Sequence, residues 1–138
     1  MRIVCIDDDV QTASWIRALL SPAGVGVEFI SVRTGREAFS LVLDDRFDLC
    51  ILEYALPDMT GVQLCGLLRQ AGCSTPIVFL TAMNRPIDRE RAELAGANAY
   101  LAKPEDLDIL VPTLSRLLMQ PIIPPPPFQV QSFATVPT

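Results

Sequence analysis

Along residues 1–120, short apolar runs alternate with stretches of helical period. Residues 3–6 (Ile-Val-Cys-Ile) form a compact apolar run ended by Asp7, the pattern of a buried strand. Trp15, Ile16, Leu19 and Leu20 then recur at helical spacing, as far as Pro22 and Gly24. Residues 25–32 predict a second strand. Thr34 and Glu37 stand at capping-box spacing, so each is expected to satisfy a free amide at the start of a helix carrying Ala38, Leu41 and Val42. Residues 49–53 predict a third strand. Residues 61–70 carry Val62, Leu64, Cys65, Leu67 and Leu68 on a wide apolar face, and Gly72 follows as a stop. Residues 76–81 predict a fourth strand. Pro86 suits the first turn of a helix running to about residue 95, and residues 99–102 predict a fifth strand. Residues 107–119 predict a last helix, with Pro112 inside it and a kink expected there.

Five strand–helix units in succession imply an α/β protein with a parallel sheet and helices on both faces. Right-handed crossovers leave few arrangements. A flavodoxin-like, doubly wound five-stranded sheet of order 2-1-3-4-5 with five helices is the natural one, and its chemistry belongs at the carboxyl ends of the strands. The pattern ends near residue 120. Pro121 and Pro124 to Pro127 cannot continue a helix, and four consecutive prolines favour an extended spacer. Residues 1–120 therefore read as one domain. Residues 121–138 read as a Pro-rich linker or as a tail packed on this molecule or a neighbour.

Composition narrows the function classes. The chain has 138 residues, half of them hydrophobic, a length that buries a core without metal or disulfide staples. The net charge of −5, with eleven scattered Lys and Arg, argues against a nucleic-acid footprint. The four cysteines include no Cys-x-x-Cys pair and there is no His, so a zinc site lacks ligands. Cys5 and Cys50 fall in apolar strands and are expected to be reduced core residues. No run has the length of a membrane span or a signal-peptide core, and a cytoplasmic location is the default expectation.

The strand ends bring together Asp7, Asp8 and Asp9, then Glu53, then Thr81, then Lys103 with Pro104. Such a set offers hard oxygen donors for Mg²⁺ and a hydroxyl and an ammonium for phosphoryl oxygens. Residues 3–9 (Ile-Val-Cys-Ile-Asp-Asp-Asp), 48–61 around Glu53, 77–82 (Ile-Val-Phe-Leu-Thr-Ala) and 95–104 ending in Lys103-Pro104 resemble, in order, four motifs of response-regulator receiver domains. That resemblance covers about residues 1–120. It implies a metal site at Asp7, Asp8 and residue 53, a switch hydroxyl at Thr81, a switch aromatic at Tyr100 and a phosphate-side cation at Lys103. It also implies a cis Lys103–Pro104 bond, a histidine kinase or a downstream effector domain as partner, and an interaction face, with a possible homodimer, over residues 84–116. Arg85, Arg89, Glu90, Arg91 and Glu93 give that region mixed charge, which suits a partner surface and equally an ordinary wet helix.

Position 53 departs from the pattern. The family normally holds its phosphoacceptor aspartate there, and this chain has Glu53. The carboxylate stands on the order of 1.5 Å farther from the backbone, one carbon–carbon bond. A misplacement of roughly 1 Å can cost about a hundredfold in rate. Glu53 is therefore expected to take up little or no phosphate, to reach Lys103, and to leave only weak or no Mg²⁺ binding at Asp7, Asp8 and Glu53. It either imitates the modified state in part or locks the site. The resulting expectation is a non-enzymatic, pseudo-receiver signalling domain that works by protein–protein contact. The alternative is a conventional phosphoryl-accepting receiver that uses Mg²⁺ and a histidine kinase. A phosphatase of the haloacid-dehalogenase type is disfavoured because Gln11 stands where that motif wants Thr or Val. A dinucleotide site is disfavoured because Gly24-Val25-Gly26 leads into a strand.

Overall fold

The computed structural model describes residues 1–20 and 27–119. The expected Pro-rich segment 121–138 lies outside the described residues, as do Pro22, Gly24 and the first two residues of the expected second strand. The order of elements is β1 (Arg2–Ile6), α1 (Val10–Leu20), β2 (Glu28–Val32), α2 (Gly35–Asp44), β3 (Leu49–Leu52), α3 (Gly61–Gln70), β4 (Ile77–Thr81), α4 (Pro86–Ala95), β5 (Ala99–Ala102) and α5 (Leu110–Met119). A 3-10 turn at Leu107–Ile109 precedes α5. All strand pairs are parallel and the sheet order is β2-β1-β3-β4-β5, as the alternation of elements predicts.

The sheet separates two apolar layers. Val4, Ile6, Cys50, Leu52, Ile77 and Phe79 point to one side, with Ala38, Val42, Leu64, Leu68 and Ala92 from α2, α3 and α4. Ile3, Cys5, Leu49, Ile51, Val78 and Leu80 point to the other, with Ala13, Ile16, Leu20, Leu110, Leu114 and Leu117 from α1 and α5. β3 and β4 are buried at every position, which is why they read as continuous apolar runs and not as alternating ones. The edge strand β2 is only partly covered. Trp15, on α1, stands at the rim of its layer at 37% exposure. No helix among the described residues is long and apolar enough to cross a membrane.

Local expectations at two helices are corrected. The last helix starts at Leu110, so Pro112 falls in its first turn, where its missing N–H has no partner to lose, and the expected kink has no cause. The capping box at α2 is half made: Thr34 Oγ1 accepts from Glu37 N, but the Glu37 carboxylate takes the Thr34 hydroxyl and not its amide. The complete capping box sits at α3, where Thr60 Oγ1 accepts from Gln63 N and Gln63 Oε1 accepts from Thr60 N.

A guanidinium organises the opposite end of the sheet from the strand carboxyl ends. Arg69 donates to the carbonyls of Gly96, Cys73 and Thr75 and to Asn98 Oδ1, at 2.8–3.1 Å. It thus joins the end of α3, the approach to β4 and the end of α4. Gly96 closes α4 at φ 110, and a Cβ there would collide with the Arg69 side chain.

Candidate functional site

The three consecutive aspartates do three different things. Asp7 follows β1 and is 3% exposed. Its amide donates to the Val32 carbonyl, and its Oδ1 accepts from Asp9 N at 2.9 Å, a local turn that aims Oδ2 inward. Asp8 is exposed. Asp9 Oδ1 accepts from Gln11 N at 3.0 Å and so satisfies a free amide at the start of α1.

Glu53 lies one residue past β3, and its amide donates to the Ile6 carbonyl at 2.9 Å. Its side chain curls back over its own loop. Oε2 accepts from the amides of Tyr54 and Ala55, while Oε1 lies 3.3 Å from Lys103 Nζ. The start of α3 presses against the same residue: Gly61 donates to the Tyr54 carbonyl, and a Cβ on Gly61 would meet the Glu53 carbonyl oxygen and the Phe79 ring. Only glycine permits that approach.

Lys103 is placed by the backbone. Its amide donates to the Thr81 carbonyl at 2.8 Å, and the Lys103–Pro104 bond is cis, as expected. Its ammonium reaches both Glu53 Oε1 and Asp7 Oδ2, at 3.3 and 3.4 Å. Burial alone would lower the Lys103 pKa, but Asp7 and Glu53 outweigh it and the pKa is raised. Its stabilising contribution is therefore complete below 10.5 and is lost as pH rises through the folded value. Asp7 is also raised, first because burial penalises its charge, and its bonds to Asp9 N and Lys103 do not fully offset this.

Asp7, Asp8 and Glu53 supply the hard oxygen donors that Mg²⁺ takes. Yet among the described residues no three acidic, cysteine or histidine side chains converge as a metal cluster. The ammonium bridges two of the three carboxylates and the third points to solvent. The donor types are those the ion takes, with the Lys103 ammonium lying between two of them.

Two remaining expected site residues, Thr81 and Tyr100, meet at the backbone of Met83. Thr81 is buried, and its Oγ1 accepts from Met83 N at 3.2 Å without reaching Glu53. Tyr100 is 5% exposed, turned inward, and its hydroxyl donates to the Met83 carbonyl. Its ring stacks on Phe79, centroids 5.6 Å apart and planes 16° from parallel. Arg89 lies over the same ring at 4.9 Å and donates to the Tyr100 carbonyl. Phe79 reads in the sequence as core, and Met83 acts through its backbone, which a sequence does not mark.

Burial, then Asp88 and Tyr54, push the Tyr100 phenol from 10.0 up to about 12, against the pull of Arg89. A raised phenol pKa means that the neutral form is favoured in the fold. Its contribution holds below pH 10 and declines between 10 and 12. In Tyr54→Phe, where Tyr100 is the remaining tyrosine, tyrosinate absorbance at 295 nm is expected to rise near pH 12. A midpoint at 10 would place the ring outside.

Comparison with known proteins identifies the family. The family described as "Response regulator receiver domain" matches residues 3–115. "Response regulator MprA" of Mycolicibacterium vanbaalenii is 36% identical over 118 residues, covering 86% of this chain and 50% of its own length. "Transcriptional regulatory protein HprR" of Escherichia coli is 38% identical over 120 residues, covering 87% and 52%. The BeF3-activated N-terminal receiver domain of Klebsiella pneumoniae RstA superposes with a TM-score of 0.78 at 27% identity, covering 87% of this chain and 100% of that one. The chain spans about half the length of the curated relatives it matches. The family model spans most of the chain, the sheet order is that of the receiver fold, and the chain belongs to the response regulator receiver domain family.

Proposed function

We propose that this chain is an atypical receiver in two-component signalling, with Glu53 at the phosphoacceptor position and little or no phosphorylation there. The supporting observation is the engagement of both Glu53 carboxylate oxygens, one by the Tyr54 and Ala55 amides and one by Lys103. A phosphoryl donor would need one oxygen free and in line. The domain then signals by protein–protein contact, with a histidine kinase or an effector domain as partner and residues 84–116 as the contact face, which also serves a homodimer. Intact wild-type chain incubated with acetyl phosphate and Mg²⁺ is expected to keep its mass. A stoichiometric gain of one phosphoryl group on Glu53 would overturn the proposal.

Mg²⁺ binding follows from the same arrangement. An incoming cation must displace the Lys103 ammonium from Asp7 and Glu53, so affinity is expected to be weak. Isothermal titration should show no saturation at sub-millimolar Mg²⁺, and tight saturable binding that disappears in Asp8→Ala would contradict this.

The second reading, a conventional phosphoryl-accepting receiver, is favoured by one observation: 36% and 38% identity to proteins named as response and transcriptional regulators. The mass measurement separates the two.

A further inference from the structure

We infer that Arg89 is the positioning residue that holds Tyr100 inward, so that the surface between α4 and β5 is set from α4 and not by a phosphoryl group at the strand ends. The inference deepens the proposed function and rests on it, because it supplies the hold that phosphorylation would otherwise provide.

Two of the three anchors on Tyr100 belong to the core. Phe79, in the neighbouring strand and paired in register with Tyr100, carries the ring. The Met83 carbonyl accepts the hydroxyl. The third anchor comes from α4. The Arg89 guanidinium covers the ring at 4.9 Å, while its Nη1 donates to the carbonyl of the same residue at 3.0 Å. One planar group thus fixes both the side chain and the backbone of Tyr100. A lysine has the charge for the first contact but lacks the rigid fork that makes both at once.

Arg89 is itself held in place. The preceding turn is closed by Arg85, whose Nε and Nη2 both donate to the Asp88 carboxylate at 2.9 Å, and Asp88 is fully buried. Pro86 fixes the first position of α4. The hold on Tyr100 extends to the loop, since Thr81 accepts from the Met83 N–H and Tyr100 donates to the Met83 carbonyl, the two peptide groups that flank one residue. Thr81 makes this contact without reaching Glu53, so nothing at the acid is needed to draw the loop in.

The test uses the full chain and N-acetylimidazole at neutral pH, with O-acetylation of each tyrosine read by peptide mass spectrometry. Tyr54, also buried at 6% exposure, is the internal reference for global unfolding. In wild type both phenols are expected to resist. Arg89→Ala is expected to raise the rate at Tyr100 by about tenfold relative to Tyr54, the size of losing one such cation–ring contact. Arg89→Lys should fall between the two. If Arg89→Ala does not fold, Arg89→Gln, which is shorter and uncharged but keeps a polar side chain on the helix, carries the same comparison. Tyr100 as protected as in wild type, or acetylated only in step with Tyr54, would overturn the inference. A phosphoryl group found on wild-type Glu53 would remove the proposed function, and the acetylation ratio would still report on Arg89 alone.

Discussion

Arg69→Ala is expected to destabilise the domain by about 3 kcal/mol or more. Each half-buried acceptor left without a donor costs roughly 1–3 kcal/mol, and truncation strands the carbonyls of Cys73, Thr75 and Gly96 together. It also takes one of two donors from Asn98 Oδ1, which accepts from Ile77 N as well. Arg69→Lys should recover little, because one ammonium cannot span carbonyls that a planar fork reaches from three nitrogens. Against a total stability of about 5–15 kcal/mol this is a large share. Urea denaturation is the measurement. The midpoint should fall sharply with the slope unchanged, and a midpoint within error of wild type would show that water replaces the guanidinium at those carbonyls.

The second large effect is chemical. Glu53→Asp shortens the side chain by one methylene and withdraws the carboxylate from the Tyr54 and Ala55 amides over which it is now curled. The Lys103 ammonium, 3.3 Å from Glu53 Oε1, is then left to Asp7 and to an incoming phosphoryl oxygen. Restoring near-attack geometry over roughly 1 Å is worth about a hundredfold in rate. The variant is therefore expected to take up phosphoryl groups from acetyl phosphate at least that much faster than wild type. The rest of the site need not move, because Asp7 and Thr81 are fixed by backbone partners of their own, Asp9 N and Met83 N.

The sheet was legible because its inner strands carry uninterrupted apolar runs, as β3 does throughout. β5 (Ala99–Ala102), α3 (Gly61–Gln70) and α4 (Pro86–Ala95) match their expected limits. Limits slipped where polar details decide them. Glu53 reads as the end of a strand yet lies outside β3, because its side chain turns back to its own loop amides. Thr60 and Gln63 hold the spacing of a capping box and went unremarked, while Thr34 and Glu37 were credited with one they only half form. The Glu53–Lys103 pair was expected from chain length alone and lies within ion-pair distance. Asp8 stands beside Asp7 at the end of β1 and is exposed where Asp7 is buried, a difference set by the turn after the strand. Arg89 reads in the sequence only as part of a mixed-charge helix face, and Arg69 carries no signal there. Their partners are backbone carbonyls brought together from distant segments, and a carbonyl carries no signature in a sequence.

A paired mass measurement bears most directly on the account. Wild type and Glu53→Asp, treated for the same time with acetyl phosphate and Mg²⁺, are compared by phosphoryl groups incorporated per chain. The account predicts uptake at residue 53 in the variant and none in wild type. Equal uptake by the two chains would contradict it.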